Sequence, residues 1–245
     1  GGYPVSDILL KLEGVHTHIG AYHILHGVDL AVPRGQLTML LGRNGAGKTT
    51  TLRTIMGLWR ASQGRIAFGG TDITALPTPA IARLNIAYVP ENMGIFADLT
   101  VQENLLLAAR GASRADRMDA QRLQWIFGMF PAVEKFWNHP AGKLSGGQKQ
   151  MVAVARAIVE PRDLLIVDEP SKGLAPAIIE NMIAAFAQLK AGGTTIVLVE
   201  QNLGFARRLG DRVAVMDNGR VVHAGGMAEF SADAALQQSL LGLSL

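Results

Sequence analysis

The chain has 245 residues, of which 49% are hydrophobic, so it can form one large domain, or a core domain that carries a smaller insert, with a substantial buried core. It contains no cysteine, which excludes disulfides and thiolate metal sites and fits a reducing compartment. The 23 basic and 20 acidic residues give a net charge of +3 and form no basic stripe, so we expect no nucleic-acid partner. The apolar runs fall well below the roughly 20 residues that span a bilayer, and the N-terminus lacks a signal-peptide pattern, so we expect no membrane crossing.

The first predicted elements are strands of an antiparallel sheet. The segments ILLKLEGV, HGVDLAV and GRIAFGG are short and separated by glycine or proline turns. Continuous apolar runs typical of buried parallel strands follow near residues 36–42, 85–90, 163–168 and 194–200. Segments with helical spacing lie between these runs, at Lys48 to Met56, Gln148 to Val159 and Ile178 to Leu189. The alternation predicts a doubly wound α/β core with the antiparallel sheet packed beside it.

A helical insert is predicted between the second and third core strands. From about Leu99 to Lys143 the composition is helical and contains no strand candidate. Thr100 and Glu103 have the spacing of a capping box, in which two side chains satisfy free amides at a helix start. We expect a single domain over residues 1–245. Its core would comprise residues 7–98 and 160–245, and residues 99–159, approximately, would form the helical subdomain.

The strongest chemical signal is the stretch GRNGAGKTT, which follows an apolar strand and opens a helix. It fits the phosphate-loop pattern G-x-x-x-x-G-K-[ST], in which glycines let consecutive backbone amides point at phosphate oxygens. We predict a nucleotide phosphate site made of Gly42, Arg43, Asn44, Gly45, Ala46, Gly47, Lys48, Thr49 and Thr50. Lys48 would contact the β- and γ-phosphates, and the Thr49 hydroxyl would bind Mg²⁺. The alternative is an ordinary glycine-rich turn between a strand and a helix.

Two acids, Asp168 and Glu169, end the apolar run LLIVDE. The carboxyl edge of a parallel sheet is its usual ligand side, so these acids are expected near the phosphate loop. Because successive strand residues face opposite sides, the two carboxylates should have different tasks. We assign Asp168 to Mg²⁺ and Glu169 to polarising the attacking water. Taken alone, an acidic pair at a strand end is more often a solvated turn.

A second phosphate site is predicted at LSGGQ. Ser145 and Gln148 again have capping-box spacing, at the start of a long amphipathic helix. The two glycines between them leave amides bare at a positive helix end, where an anion is favoured. A well-capped helix with no ligand is the alternative.

The order of these motifs, a phosphate loop, then LSGGQ, then LLIVDEP, resembles the nucleotide-binding subunits of ATP-binding cassette (ABC) transporters over nearly the whole chain. The resemblance implies the fold described above, ATP and Mg²⁺ as cofactors, and two subunits that sandwich two ATP molecules. It also implies that the LSGGQ of one subunit contacts the γ-phosphate bound by the other. The residues that would act across the dimer in this way are Ser145, Gly146, Gly147 and Gln148.

Two positions near the phosphate depart from the common pattern of the family. Gln201, after the run IVLVE, stands where a histidine usually contacts the γ-phosphate; its amide can donate a hydrogen bond but cannot become a cation. The alternative for Gln201 is that it caps the following helix. Glu91 stands where a glutamine is usual after IAYVP, and we predict a metal or water contact that also reports nucleotide state to membrane subunits. The alternative for Glu91 is a plain surface acid.

Two further departures from the family pattern affect the contact between subunits and the recognition of the adenine base. Ala175 replaces an aspartate that usually reaches across the dimer, so one contact between subunits should be missing. Ile19 stands at the position of the aromatic residue that commonly stacks on adenine, and the nearby Tyr22 is as consistent with packing as with base contact. The tryptophans are expected to anchor the core or an interface rather than bind a ligand; they are Trp59, Trp125 and Trp137.

The combination of VPEN, PSKGLAP, VEQN and LLGL resembles the ATPase subunits of importers for branched-chain and other hydrophobic amino acids. That branch tolerates glutamate, alanine and glutamine at the departing positions, so we expect an active ATPase with Glu169, Gln201 and Lys48 as catalytic residues. The resemblance implies a peripheral subunit at the cytoplasmic face of the cell membrane. Its partners would be two membrane-spanning permeases, a second ATPase (a sister chain or a second copy) and, indirectly, a solute-binding protein. The competing function is a non-transport ABC ATPase that acts as a regulatory or assembly switch on a soluble partner. A third possibility, a nucleotide sensor that only binds, would require Glu169 to be idle.

Overall fold

The computed structural model describes residues 7–109 and 118–242. One of its two sheets is antiparallel, in the order β2-β1-β4-β5, with strands β1 (Ile8–Ile19), β2 (Tyr22–Pro33), β4 (Ala61–Phe68) and β5 (Thr71–Asp72). The predicted antiparallel sheet is therefore confirmed, but its strands are longer than predicted because they continue through glycines. Gly14 and Gly64 both have positive φ, and a Cβ on Gly64 would lie 2.3 Å from the carbonyl oxygen of Gly14. These two glycines let β1 and β4 pair across an irregular register.

The second sheet has six strands in the order β10-β9-β3-β8-β7-β6. Its parallel strands confirm the four predicted apolar runs; they are β3 (Leu37–Gly42), β6 (Ile86–Val89), β7 (Leu164–Asp168) and β8 (Thr195–Glu200). The sequence did not predict β9 (Arg212–Asp217), which is parallel to β3, or β10 (Arg220–Gly226), which is antiparallel to β9. β9 is buried over four residues only and β10 has no fully buried residue, so neither forms a long apolar run.

The helices belong either to the core or to the insert. Those of the core are α1 (Lys48–Ile55), α2 (Thr78–Ala82), α7 (Pro176–Ala191), α8 (Leu203–Leu209), α9 (Met227–Ala232) and α10 (Ala234–Leu241). The insert between β6 and β7 contains α3 (Val101–Ala108), α4 (Ala120–Met129), α5 (Pro131–Lys135), a 3₁₀ helix (Ala141–Lys143) and α6 (Gly146–Ala157). The predicted helical insert is confirmed for its described residues, and so is the capping box of Thr100 and Glu103. Residues 110–117 of the insert lie outside the described residues.

Two buried clusters lie on opposite faces of the six-stranded sheet. Met39 and Leu41 belong to one cluster and Leu40 to the other, because alternate residues of β3 face opposite sides. The first cluster joins the sheet to the insert, α7 and α8, and the second joins it to α1 and the antiparallel sheet. Because β3, β8 and β7 are adjacent and parallel, their carboxyl ends are neighbours along one edge of this sheet.

The tryptophans of the insert contribute to packing. Trp125 and Trp137 lie against the first cluster, and the ring of Trp137 meets that of Phe127 edge-on at 5.2 Å between centroids. Trp59, after α1, is half-buried. In the described ranges, no helix combines the length and the apolar character that crossing a membrane requires.

Candidate functional site

The phosphate loop joins β3 to α1 through a backbone conformation that favours glycine. Gly42, Gly45 and Gly47 have φ values of 153°, 81° and 103°. A Cβ on Gly42 would lie 2.4 Å from the carbonyl oxygen of Met216, and one on Gly47 would lie 2.9 Å from Cδ2 of Leu25. The loop therefore fits closely against β9 and β2, and the first and last of these glycines have no room for a side chain.

Lys48 opens α1 and is 5% exposed. Its Nζ donates to the carbonyl oxygens of Gly42 at 2.7 Å and Arg43 at 2.9 Å. Burial lowers the pKa of Lys48, while the negative charges of Glu169 and Asp168 act to raise it. The ammonium group is thereby fixed inside the loop, where it faces the acids at the end of β7.

The end of β7 meets the first turn of α1. The Thr49 hydroxyl donates to Oδ2 of Asp168 at 2.8 Å, and Asp168 is 1% exposed. Burial raises the pKa of Asp168 to about 6, with smaller contributions from the charges of Glu169 and Glu91, while the Thr49 hydrogen bond and Lys48 oppose the rise. Because burial makes the ionised carboxylate unfavourable, a cation bound beside Asp168 would stabilise it.

The oxygen atoms of the Asp168 carboxylate and the Thr49 hydroxyl fit a magnesium ion. Oδ1 of Asp168 is buried and has no hydrogen-bond partner, and it lies on the carboxylate that the Thr49 hydroxyl already contacts. Among the described residues there is no cluster of three histidine, aspartate or glutamate side chains that could hold a metal by themselves. One carboxylate with a neighbouring hydroxyl is the protein contribution expected when Mg²⁺ completes its shell with water and nucleotide phosphates.

Glu169 follows β7 with a left-handed backbone, φ 49°, which is uncommon for a residue other than glycine. Its amide donates to the carbonyl oxygen of Val199 at 2.9 Å, which ties the turn to β8. Oε1 of Glu169 accepts a hydrogen bond from Nε2 of Gln201 at 2.8 Å. Glu169 and Asp168 are therefore separated by a sharp turn, rather than by the regular strand alternation from which we predicted their different tasks.

Gln201 lies between the phosphate loop and Glu169. Besides the bond to Glu169, its Nε2 donates to Oδ1 of Asn44 in the loop. Gln201 does not cap α8: Asn202 is the N-cap residue, and its Oδ1 accepts from the amide of Phe205 at 3.0 Å. The helix-cap alternative for Gln201 is wrong because the next residue has that role.

Glu91 lies at the rim of the site and pairs with Lys172, a residue that was not among the predicted site residues. Nζ of Lys172 is also 3.8 Å from Oε2 of Glu169. The bond with Glu91 raises the pKa of Lys172. A lysine three residues after Glu169 in the stretch DEPSK was the available signal, but one lysine in a loop is most often a solvated charge.

The LSGGQ segment begins α6 on the insert. The Oγ of Ser145 accepts from the Gln148 amide at 3.3 Å, and Oε1 of Gln148 accepts from the Ser145 amide at 2.9 Å. This confirms the capping box. A Cβ on Gly146 would have open space around it, whereas one on Gly147 would lie 3.1 Å from Cγ1 of Ile178. No hydrogen bond or salt bridge found among the described residues joins this segment to the phosphate loop of the same chain.

The structure also shows where the residues predicted near the adenine base and at the dimer interface lie. Ile19 ends β1, is half-buried and pairs with Tyr22 across a tight turn, while the Tyr22 side chain is 76% exposed. Ala175 is the N-cap residue of α7 and offers no side-chain cap. Thr50 is half-buried in the first turn of α1.

The C-terminal helix reaches the phosphate loop, which the sequence did not predict. A Cβ on Gly242 would lie 1.9 Å from a guanidinium nitrogen of Arg43, so the two residues are in close contact. A cavity of about 130 Å³ lies beside them and is lined by Leu41, Gly42, Arg43, Glu200, Gln201, Leu203 and Leu241. The motif LLGL therefore borders the site, although its last residue, at position 243, is outside the described residues.

Comparisons with known proteins agree with this geometry. The ABC transporter family model matches residues 25–172. The high-affinity branched-chain amino acid transport ATP-binding protein BraG of Pseudomonas aeruginosa is 40% identical over 215 residues, which cover 87% of this chain and 91% of BraG.

Solved structures give the same result. An ATP-binding subunit of an ABC transporter is 32% identical, with a TM-score of 0.81 and coverage of 96% of this chain and 95% of that one. A dimeric ATP-binding cassette in a post-hydrolysis state, bound to ADP and Pi, is 27% identical, with a TM-score of 0.79 and coverage of 89% and 99%. The chain belongs to the ABC transporter family and is one of its ATP-hydrolysing cassettes.

Proposed function

We propose that this ATPase energises the import of branched-chain or other hydrophobic amino acids, or of related small solutes. The observation that carries the proposal is the convergence at one sheet edge of the phosphate loop, the Thr49–Asp168 pair and the Gln201–Glu169 pair. The solute class is supported by the similarity to BraG over most of both chains. Nothing favours the alternative of a regulatory or assembly switch.

The phosphates would lie along the amides of the loop from Gly42 to Thr50, with Lys48 at the β- and γ-phosphates. Thr49 and Asp168 would hold Mg²⁺, and Glu91 would contact it or its water. When bound, the ion neutralises charge on the β- and γ-phosphates. The buried, unpartnered Oδ1 of Asp168 supports this assignment, since it has no other function in the described structure.

Glu169 is proposed to polarise the attacking water, and Gln201 to donate a hydrogen bond to the γ-phosphate. The position of Gln201 supports this pairing, because its amide nitrogen already contacts both the loop and Oε1 of Glu169. Ile19 is proposed to border the adenine without stacking on it, because it has no aromatic ring. Base recognition would then depend on packing, with the exposed Tyr22 available beside it.

The complete site is proposed to need a second cassette, a sister chain or a second copy. Ser145, Gly146, Gly147 and Gln148 would bind the γ-phosphate of the partner at the start of α6, where the capping box uses the amides of Ser145 and Gln148 but not those of the two glycines. The solved dimeric cassette with ADP and Pi supports such pairing. Ala175 would leave one contact between the subunits unmade.

The chain is proposed to act as a peripheral subunit at the cytoplasmic face of the cell membrane, with two permeases and, indirectly, a solute-binding protein. The test is to purify the tagged chain from detergent-solubilised native membranes and to identify what accompanies it by mass spectrometry. We expect multi-span permeases, and a second cassette if the dimer is mixed. Recovery of this chain alone, from the soluble fraction, would overturn the transport function and leave the soluble switch.

A further inference from the structure

Glu200 is a buried acid that the proposed function does not use. It is the last residue of β8 and is 2% exposed. Its carboxylate accepts two hydrogen bonds from Ser171, one from the amide to Oε1 and one from the hydroxyl to Oε2, both at 2.9 Å. Ser171 lies two residues after Glu169, in the loop that leads to α7.

The same carboxylate also binds the segment that carries Gln201. Oε2 accepts from the amide of Gln201 at 3.2 Å and from the amide of Asn202 at 3.3 Å. Burial raises the pKa of Glu200, and the four hydrogen bonds oppose that rise by favouring the ionised form. A carboxylate with four donors is suited to joining two backbone segments, because its two oxygens together offer about four lone-pair sites; here Oε2 accepts three of the bonds and Oε1 one.

Both joined segments carry groups of the site. Gln201 directly follows Glu200 and donates to Glu169, while the amide of Glu169 donates to Val199, the residue before Glu200. The side chain of Glu200 thus closes a small ring of contacts around the Gln201–Glu169 pair. Loss of its charge would free Ser171 on one side and the backbone of Gln201 on the other.

We propose that Glu200 is a positioning residue, which fixes Gln201 against Glu169 and couples the loop of residues 170–175 to it. The inference rests on the proposed function for its effect on hydrolysis. Glu200 does not touch the phosphate in this assignment; it acts through the backbone at Gln201 and through Ser171. A glutamine in its place would present one amide group to donors on both sides, so at least one of the four bonds would be lost.

The test compares Glu200→Gln with Asp211→Asn. Asp211 is a matched control because its carboxylate also accepts a backbone amide, that of Leu37 at 2.8 Å, and binds Lys190 at 3.1 Å, but at the opposite end of β3. We expect Glu200→Gln to lower kcat for ATP about tenfold, and the Kd for Mg·ATP to change by less than about twofold. Asp211→Asn should leave kcat within about twofold of wild type.

A second variant covers the case in which Glu200→Gln does not fold. Ser171→Ala removes one donor and no charge, and should lower kcat about threefold with Kd unchanged. In the double variant the two losses should not multiply, because they break one bridge. Multiplying losses, a wild-type kcat in Glu200→Gln, or an equal loss in Asp211→Asn would each overturn the positioning role.

Hydrogen exchange separates this inference from the proposed function. In Glu200→Gln, at least one of the amides of Ser171, Gln201 and Asn202 should exchange faster, and amides near Asp211 should not. This readout needs no turnover, so it tests the bridge even if the wild-type chain transports nothing. Unchanged exchange at the three amides would refute the bridge, whatever the ATPase rates are.

Discussion

Replacing Asp168 by asparagine should stabilise the nucleotide-free protein at neutral pH while it removes hydrolysis. The pKa of the buried carboxyl rises from its ordinary 3.8 to about 6, mainly because burial penalises the charged form. At pH 8 the folded state must keep that group ionised, and the difference in pKa corresponds to about 3 kcal/mol of lost stability. Asparagine keeps an acceptor for the Thr49 hydroxyl and carries no charge, so it avoids this cost.

The raised pKa also fixes how the stability advantage of Asp168→Asn changes with pH. For a carboxyl with a raised folded-state pKa, the favourable contribution is present below about pH 4 and is lost as the pH rises through about 6. The advantage of Asp168→Asn in free energy of unfolding should therefore shrink from about 3 kcal/mol at pH 8 to about half of that at pH 5. An unpaired asparagine amide could reduce both values by about 1 kcal/mol without changing their difference.

The assay is urea unfolding of both proteins in EDTA without nucleotide, at pH 8 and at pH 5. Asp72→Asn is the control, because Asp72 is exposed and its pKa is lowered, chiefly by hydrogen bonds from Thr74. Its effect should have the opposite pH trend and be small. If Asp168→Asn is less stable than wild type at pH 8, or if the difference between the two proteins is the same at both pH values, the argument from burial is refuted.

The remaining predictions concern the phosphate loop and the Gln201–Glu169 pair. Gly42→Ala should abolish Mg·ATP binding in equilibrium dialysis, because its Cβ would meet the carbonyl oxygen of Met216 at 2.4 Å and the loop would have to move. Glu169→Gln should nearly abolish turnover and accumulate ATP-bound dimers in size-exclusion chromatography, and unchanged hydrolysis would remove Glu169 as the group that polarises water. Gln201→Ala removes the donor to both Asn44 and Glu169, and should lower kcat about tenfold in a phosphate-release assay. A wild-type rate in that variant would make Gln201 purely structural.

The part of the site that the sequence predicts is the part that local chain geometry determines. The phosphate loop depends on glycines at fixed spacing between a strand and a helix, and Asp168 depends on the end of an apolar run. Both signals lie within ten residues. Lys172 and Glu200 were missed because their roles come from pairing with Glu91 and Ser171, residues far away along the chain. No spacing rule within one sequence reveals such partners.

The fold, too, has a part that the sequence predicts and a part that it does not. Strands buried on both faces, such as β7, are visible as continuous apolar runs, and all four were predicted. β10 was missed because it is an outer strand of the sheet in which exposed and half-buried residues alternate and none is fully buried. The contact of Gly242 with Arg43 joins the end of the described chain to its first motif. Only the folded arrangement of α10 against the sheet edge brings them together.

The chemistry of an amide accounts for the glutamine where a histidine is usual. Nε2 of Gln201 carries two hydrogens, and in this structure it donates to Oδ1 of Asn44 and Oε1 of Glu169, both of which are acceptors. A neutral imidazole has one N–H and could satisfy only one of them; an imidazolium could donate twice, but from opposite sides of its ring. The glutamine therefore joins the loop to Glu169 at neutral pH without a charge. Under the proposed function Gln201 would supply no cation at the γ-phosphate, and the buried Lys48 would be a positive charge well placed to stabilise that group.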